Sequence, residues 1–162
     1  MSKLERAVFA SGCFWGTEFY LAKVAGVKQT TCGFTGGMVK NPTYKEVCGK
    51  ATGHYEAVEV YFDPAEASFE ALARVFFETH DPTQKNGQGP DLGPQYRSAV
   101  FVQSEAQRTT IAHLIGLLEA NGLDVATRIL EPAPFYNAED YHQDYYDTKG
   151  EEPYCHFPRK LF

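Results

Sequence analysis

The sequence predicts an α+β fold, a two-layer sandwich with a ferredoxin-like βαββαβ core and a long irregular C-terminal tail. Two observations support this prediction. Apolar residues switch repeatedly between strand-like and helical spacing, and the resulting segments follow the order β-α-β-β-α-β-α-β. The length of 162 residues suits a single domain, 1–162, with a sizeable core. We therefore expect a compact enzyme or binding domain.

Short apolar or β-branched runs bounded by turn residues predict the strands. The runs cover residues 7–10, 27–34, 58–62, 97–103 and 125–130. In the third run, apolar and polar residues alternate between Val58 and Phe62. If this strand extends back by two residues, Glu56 lies on the same apolar face as Val58, where burial would disfavour its charged form.

Apolar residues at helical spacing predict three helices between these strands. The first helix begins at or near Cys13, carries a stripe of Trp15, Phe19 and Ala22, and ends at Gly26 in a left-handed cap. Each of the other two follows a serine that can accept a hydrogen bond from the first helical turn. These serines are Ser68 and Ser104.

Two long segments rich in Gly, Pro and polar residues interrupt the regular elements, at residues 38–53 and 83–96. We predict no regular structure in the second segment. Loops of this length are uncommon in compact domains and often carry function, so we interpret both as site loops. The tail from about residue 132 is expected to form a short helix capped by Asn137 and then to continue irregularly through Cys155.

Composition excludes several functions. The formal net charge is −6 and no basic stripe is present, so nucleic acid is not an expected partner. No apolar run approaches the length of a membrane span, and no signal peptide precedes the first strand, so we expect a cytoplasmic protein, which we also take to be a monomer. Aromatic residues make up 14% of the chain, and some of these rings are expected to line a pocket.

The four cysteines form neither a C-x-x-C pair nor a cluster with histidines at zinc-ligand spacing, so we expect no metal site. They are Cys13, Cys32, Cys48 and Cys155. Structural disulfides are unusual in a reducing compartment. A bond between two of these cysteines would therefore be transient and catalytic.

Cys13 lies between glycines at a strand-to-helix turn, where backbone N–H groups and the helix dipole favour the thiolate. A buried Glu56 would stay protonated near neutral pH and could serve as a general acid. Cys155 offers a second thiol for a redox cycle. The alternative for Cys13 is a small buried residue beside a core Trp15.

Two other functions are compatible with these residues. One is a Cys-His-Asp hydrolase in which His54 or His80 serves as the base for Cys13. His80 continues the apolar stripe of its helix, which favours a structural role for it. The other is a binding module without catalysis, whose aromatic pocket holds an apolar side chain.

A series of motifs extends over nearly the whole chain. They are Gly12-Cys13-Phe14-Trp15-Gly16, Gly33-Phe34-Thr35-Gly36-Gly37, Asn41-Pro42-Thr43-Tyr44, Thr52-Gly53-His54-Tyr55-Glu56, His80-Asp81-Pro82-Thr83, Gln88-Gly89-Pro90-Asp91-Leu92-Gly93, Gln95-Tyr96-Arg97-Ser98 and Ala138-Glu139-Asp140-Tyr141-His142-Gln143. In this order they resemble the A-class peptide methionine sulfoxide reductases.

The resemblance implies reduction of the S epimer of methionine sulfoxide, free or in proteins. Cys13 would attack the sulfoxide sulfur and Glu56 would protonate its oxygen. The residues implied in substrate contact are Phe14 and Trp15 around the methyl group, Tyr44 and Tyr96 as hydrogen-bond donors to the oxygen, and Asp91 as an orienting contact.

The resemblance also implies recycling. Cys155 would form a disulfide with the sulfenic acid of Cys13, and thioredoxin would reduce it, without a metal or organic cofactor. Only seven residues follow Cys155, so we expect two cysteines in the cycle. Cys32 and Cys48 are expected to be buried small residues.

Overall fold

A computed structural model of the protein describes residues 4–48, 52–88, 91–139, 142–143 and 160–162. The strands are β1 (Glu5–Ser11), β2 (Val27–Thr35), β3 (Tyr55–Phe62), β4 (Gly87–Gln88), β5 (Asp91–Leu92), β6 (Ser98–Phe101), β7 (Arg128–Leu130) and β8 (Phe135–Asn137). The helices are α1 (Phe14–Leu21), α2 (Tyr44–Cys48), α3 (Phe69–Glu78) and α4 (Glu105–Ala120). The fold is mixed α/β around a mostly antiparallel sheet.

Six strands form this central sheet in the order β7-β6-β1-β3-β2-β8, and only the β6–β7 pair is parallel. β1 lies between β6 and β3, and Ser11 at its end pairs with Ser98 at the start of β6. Phe34 near the end of β2 pairs with Glu56 near the start of β3. The end of β1 and the start of β3 therefore meet at one end of the sheet.

The two faces of the sheet bury different sets of residues. One face packs against α1, α3 and α4, where the Phe9 ring lies 5.7 Å from Phe69 and 5.1 Å from Phe76. The other face is covered by residues of the C-terminal part of the chain, including Phe135. None of the described helices is long and apolar enough to span a bilayer.

The predicted serine caps of α3 and α4 are confirmed. Ser68 Oγ accepts a hydrogen bond from the Ala71 N–H at 3.0 Å, and Ser104 Oγ accepts one from the Gln107 N–H at 3.2 Å. The alternation from Val58 to Phe62 is confirmed as well, because Val58, Val60 and Phe62 are buried whereas Glu59 and Tyr61 are only partly buried. Glu56 is fully buried, as expected. These features depend on contacts between near neighbours in the sequence, which local patterns report directly.

The predicted details of α1 are wrong. The helix ends at Leu21, with a right-handed Ala22 as its cap, and Gly26 has its positive φ of 96° in the turn before β2. The buried residues of α1 include Phe14 and Leu21, whereas Trp15 is only half-buried. Apolar residues occur on all sides of this short helix, so their spacing could not select the buried face.

The two site loops contain regular structure that we did not predict. Residues 38–53 include the single-turn helix α2, and residues 83–96 include the β4–β5 hairpin and a 3-10 turn at Pro94–Tyr96. The buried side chain of Gln88 stabilises the hairpin. Its Oε1 accepts a hydrogen bond from the Asp81 N–H at 2.7 Å, and its Nε2 donates one to the Asp81 carbonyl at 2.9 Å. A hydrogen bond between a side chain and the backbone produces no periodic pattern of apolar residues in the sequence, so this hairpin could not be predicted from such a pattern.

The prediction that Asn137 caps a helix is wrong, because Asn137 ends β8, which pairs with residues 33–35 of β2. Most of the short helix predicted after it lies outside the described residues. Thr35 Oγ1 also donates to the Pro134 carbonyl at 2.8 Å. Farther along, the Leu161 N–H donates to Glu78 Oε2 at 2.8 Å and the Phe162 ring packs against Phe77. Cys155 lies outside the described residues.

We predict that replacing glycine with alanine has opposite effects on the free energy of unfolding at Gly33 and at Gly116. In Gly33→Ala the new Cβ would lie 2.5 Å from the Phe135 ring, and displacement of β8 should lower the free energy of unfolding by about 1–3 kcal/mol. Gly116 on the exposed face of α4 has open space around it, so Gly116→Ala should raise this free energy by about 0.5–1 kcal/mol. Urea denaturation measures both. An unchanged Gly33→Ala midpoint would show that β8 is not packed as described.

Candidate active site

Cys13 joins β1 to α1 as the N-cap residue, with a side chain that is 4% exposed. Its carbonyl accepts the N–H of Gly16 at 3.2 Å and that of Thr17 at 3.4 Å, which fixes the first turn of the helix. The prediction that the thiol lies at a helix start is confirmed. The positive end of α1 therefore favours negative charge at this position.

Glu56 is the buried acid that the strand pattern predicted. Its side chain is fully buried, and Oε1 accepts the N–H of Phe14, the residue after Cys13, at 3.3 Å. Oε2 makes no hydrogen bond with any residue that the structure describes. Burial raises the pKa of Glu56 to about 8, the Phe14 N–H opposes the rise, and the charge of Asp91 adds to it. The carboxyl group is therefore mainly protonated at neutral pH.

Tyr44 and Tyr96 belong to the same site. Burial raises the pKa of both phenols, and the negative charge of Glu56 raises both further. Tyr44 begins α2 and Tyr96 ends the 3-10 turn, so each site loop contributes one hydroxyl group. Both hydroxyl groups remain protonated and can donate hydrogen bonds. Asp91 on β5 completes the acidic environment, since its charge also raises the pKa of Tyr96.

Four aromatic rings form a wall beside Cys13. The Trp15 ring stacks against Tyr44 at a centroid distance of 6.0 Å, and Phe14 lies 6.0 Å from the same Tyr44 ring. His142 lies 4.3 Å from Tyr44 and 5.5 Å from Trp15. Phe14 is fully buried against Phe34, whereas Trp15 keeps a partly exposed face. This wall can contact a small apolar group.

His142 is a site residue that we did not predict. The Trp15 Nε1–H donates to His142 Nδ1 at 3.0 Å, so Nδ1 is the unprotonated nitrogen. His142 Nε2 lies 3.2 Å from Glu139 Oε2, and burial lowers the pKa of the ring while Glu139 opposes the change. Trp15 and His142 are 127 positions apart, so no local pattern could indicate this pair, although His142 is part of a motif quoted above.

Gln143 fixes this part of the tail to β2. Its Oε1 accepts the Cys32 N–H at 2.7 Å, and its Nε2 donates to the carbonyl of Cys32 at 3.0 Å and to that of Ala138 at 3.2 Å. Glu139 Oε1 in turn accepts the Tyr44 N–H at 3.2 Å. These contacts hold His142 and Tyr44 at the aromatic wall.

The two histidines considered as bases for Cys13 are engaged in the scaffold. His54 Nδ1 accepts the Gly37 N–H at 3.0 Å, and its Nε2 lies 2.6 Å from the Val39 carbonyl. The ring nitrogens of His80 contact the Phe76 carbonyl and Ser98 Oγ. Both nitrogens of each ring are thus engaged by other groups, which does not favour the hydrolase.

The remaining described cysteines differ in environment. Cys32 is fully buried, and burial together with the charge of Glu18 raises the pKa of its thiol, as expected for a structural residue. Cys48 is only partly buried and forms a hydrogen bond with the side chain of Tyr44. The prediction that Cys48 is a buried residue is therefore wrong. In the described part of the chain, no three acidic, His or Cys side chains form a potential metal site.

Comparison with known proteins identifies the same family that the sequence motifs indicated. The family model "Peptide methionine sulfoxide reductase" matches residues 5–162. "Peptide methionine sulfoxide reductase MsrA 1" from Rhodopirellula baltica is 49% identical over 152 residues, which cover 93% of this chain and 79% of that protein.

Solved structures show the same fold. Mxr1 from Saccharomyces cerevisiae in reduced form superimposes with a TM-score of 0.87 at 34% identity, covering 98% of this chain and 93% of that chain. Mxr1 in complex with Trx2 superimposes with a TM-score of 0.65 at 24% identity, covering 98% and 91%, which supports the fold alone. By the family match and the identity to its relatives, the chain belongs to the peptide methionine sulfoxide reductase family.

Proposed function

We propose that this chain reduces the S epimer of methionine sulfoxide, free or in proteins, by thiol chemistry. The observation that carries the proposal is the protonated Glu56 beside Cys13, held by the N–H of the adjacent Phe14. A sulfoxide oxygen is a poor leaving group until it is protonated, so a buried carboxylic acid suits this reaction. The names of the relatives support the same activity.

In the first step, the Cys13 thiolate attacks the sulfoxide sulfur and Glu56 donates its proton to the oxygen. The S–O bond of the substrate breaks, and two electrons pass from the sulfur of Cys13 to the sulfur of the substrate. The balanced products are methionine and a sulfenic acid on Cys13. Asp91 assists by keeping Glu56 protonated, because its negative charge raises the pKa of that carboxyl group.

The aromatic wall and the two phenols position the substrate. Phe14 and Trp15 contact the methyl group, and Trp15 is held in place by its hydrogen bond to His142. Tyr44 and Tyr96 donate hydrogen bonds to the sulfoxide oxygen, which is consistent with the raised pKa of each phenol. Asp91 orients the substrate from β5.

Recycling is assigned to Cys155 and thioredoxin. The Cys155 thiol condenses with the sulfenic acid of Cys13, forming a disulfide and releasing water, and the dithiol of thioredoxin then reduces this bond. Gln143 and Leu161 are anchored on either side of Cys155 in the sequence. Cys155 lies six positions before Leu161, which limits its reach from that anchor to about 20 Å. The thiols carry both electrons, so no metal or organic cofactor is required.

We also make proposals for the topology of the core, the domain organisation, the oligomeric state and the cellular location. We infer that the core is of the ferredoxin-like type, which the strand order β6-β1-β3-β2 supports. We infer that residues 1–162 act as one catalytic domain, because the tail contributes His142 to the site. A monomer in the cytoplasm is our proposal for its state and location.

The reductase and its two rivals differ in the need for a reductant. We expect reduced thioredoxin to be consumed only when the S epimer of methionine sulfoxide is present, with the R epimer as the matched control. Cys13→Ser should abolish this consumption while circular dichroism shows an unchanged fold. A hydrolase would consume no reductant, and a binding module would retain its function in Cys13→Ser. Either result would refute the proposal.

Glu56→Gln tests the acid. We expect the rate of sulfoxide reduction to fall about 10²–10⁴-fold, because the amide N–H is too weak an acid to transfer a proton to the oxygen. In the unsubstituted protein the rate should decline as the pH rises through about 8, since Glu56 then ionises, and this decline should be absent in Glu56→Gln. Glu59→Gln, on the same strand and paired with Arg6, is the control and should keep the rate and the pH profile. Near-normal turnover in Glu56→Gln would remove Glu56 from this role.

Cys155→Ser tests recycling. We expect one equivalent of methionine per enzyme and then a stall with thioredoxin, whereas a small dithiol reductant should sustain turnover by reducing Cys13 directly. Mass spectrometry of the unsubstituted protein after substrate addition without reductant should show a Cys13–Cys155 disulfide. Continued cycling of Cys155→Ser with thioredoxin would show that another route recycles Cys13.

A further inference from the structure

Met38 has the most exposed large hydrophobic side chain in the described part of the chain. It is 89% exposed, whereas the next such residue, Leu92, is 51% exposed. Met38 follows β2 in the first site loop, and the sequence contains only one other methionine, Met1. Exposure of this degree leaves the thioether sulfur of Met38 open to oxidants dissolved in water.

Two buried residues fix the backbone on both sides of this side chain. The Gly37 N–H donates to His54 Nδ1 at 3.0 Å, so His54 Nε2 carries the proton of the ring and donates a hydrogen bond to the Val39 carbonyl at 2.6 Å. The Met38 N–H donates to the carbonyl of Thr52 at 3.0 Å. Since His54 and Thr52 are both buried, three consecutive loop residues are held from the protein interior.

Gly37 shows how closely this segment packs. A Cβ atom added there would overlap the backbone nitrogen of His54 and would lie 2.5 Å from the carbonyl oxygen of Thr52. Both are backbone atoms, so they cannot move aside as the end of a flexible side chain can. The loop is therefore a fixed support from which Met38 projects into solvent.

Met38 lies outside the active site of its own molecule. β2 and β3 pair as far as Thr35 and Tyr55, so the loop leaves the sheet at the same end as Glu56. Cys13 is buried at that end, whereas Met38 is almost fully surrounded by solvent. Because hydrogen bonds to residues 52 and 54 hold the loop backbone, the Met38 side chain is available to another molecule and not to its own Cys13.

A peroxide such as hydrogen peroxide converts this side chain to the sulfoxide. Two electrons leave the thioether sulfur, the O–O bond of the peroxide breaks, and the products are methionine sulfoxide at position 38 and water. The added oxygen makes the side chain polar, but Met38 packs against almost nothing, so the fold is retained. The oxidised protein is therefore a folded molecule that carries an accessible sulfoxide.

We propose that Met38, once oxidised, is reduced by the active site of a second copy of this chain. The inference rests on the proposed reductase activity and names one polypeptide substrate for it. The aromatic wall that includes Phe14 and Trp15 is suited to the methyl group of a methionine side chain, and Met38 supplies such a side chain on a fixed, exposed loop. The second copy is therefore the partner whose site matches this surface residue.

The repair step balances with the thiol chemistry proposed above. The Cys13 thiolate of the second copy attacks the sulfoxide sulfur of Met38, and Glu56 of the second copy protonates the oxygen as the S–O bond breaks. The products are a restored Met38 thioether and a sulfenic acid on the attacking Cys13. The reductant that recycles Cys13 supplies the two electrons.

Two variants test repair between molecules. The acceptor is Cys13→Ser, which retains Met38 but cannot reduce a sulfoxide, and hydrogen peroxide is used to oxidise it and is then removed. The donor is a small amount of Met38→Leu with a small dithiol reductant. Mass spectrometry of the acceptor peptide containing Met38 should show about half of the sulfoxide returned to methionine, because the enzyme acts on one of the two epimers. No loss of sulfoxide relative to a sample without donor would overturn the proposal.

The matched control places a methionine on a helix of the same acceptor. Leu117 on α4 is 38% exposed, and Leu117→Met adds a thioether there. We expect the sulfoxide at Met38 to be reduced at least about tenfold faster than the one at position 117, since a helical residue must unfold locally to enter a concave pocket. Equal rates would overturn the proposal, because Met38 would then be no better presented than other surface residues.

Dilution distinguishes repair by a second copy from repair within one molecule. In the oxidised unsubstituted protein with the dithiol, the rate constant for loss of the Met38 sulfoxide should rise in proportion to the protein concentration. A rate constant that does not change with concentration would show that Met38 reaches its own Cys13, and would overturn the assignment to a second copy.

Free methionine sulfoxide separates this proposal from the activity on which it depends. Met38→Leu keeps Cys13 and Glu56, so it should turn over free methionine sulfoxide as fast as the unsubstituted protein does. Turnover of free methionine sulfoxide without reduction of the Met38 sulfoxide would overturn only the repair of Met38. Absence of turnover with both substrates would overturn the reductase itself.

Discussion

Desolvation of the Glu56 carboxyl group, at the end of the sheet where β1 and β3 meet, governs the arrangement of the whole site. The only hydrogen bond to this group from the described residues comes from the Phe14 N–H, so the first turn of α1 and the start of β3 are held in one geometry. Cys13 precedes Phe14, and the proposed nucleophile and the proposed acid are thereby positioned together. The phenols of Tyr44 and Tyr96 lie in the same poorly hydrated region, and this explains why all three groups favour their protonated forms.

This arrangement has a thermodynamic cost. The folded protein raises the pKa of Glu56 from 4.5 to about 8, so between these values the folded state holds a proton that the unfolded chain releases. The stability that this group contributes is therefore present below pH 4.5 and is lost as the pH rises through about 8. A carboxyl group that stays protonated near neutral pH is thus maintained by the surrounding packing of residues such as Phe14 and Phe34.

Local sequence patterns were sufficient for part of this structure. The alternation through β3 located Glu56 on the buried face, and Ser68 and Ser104 marked two helix starts, because these features involve residues close in the sequence. The pairing of β8 with β2 and the contact of His142 with Trp15 join residues about 100 or more positions apart, which no local pattern reports. The motifs identified the region of His142 without revealing its partner, and the buried face of α1 was ambiguous because the helix is apolar on all sides.

The two outer strands of the sheet, β7 and β8, are only three residues long. Beyond the end of β8, the carbonyl of Cys32 on β2 accepts the Ala138 N–H at 2.9 Å, and the side-chain amide of Gln143 bonds both the N–H and the carbonyl of Cys32. An open strand edge is a template on which another chain can add a strand. Here the contacts of Ala138 and Gln143 occupy this edge at Cys32, so the residues that position His142 also protect this part of β2 against intermolecular β-pairing.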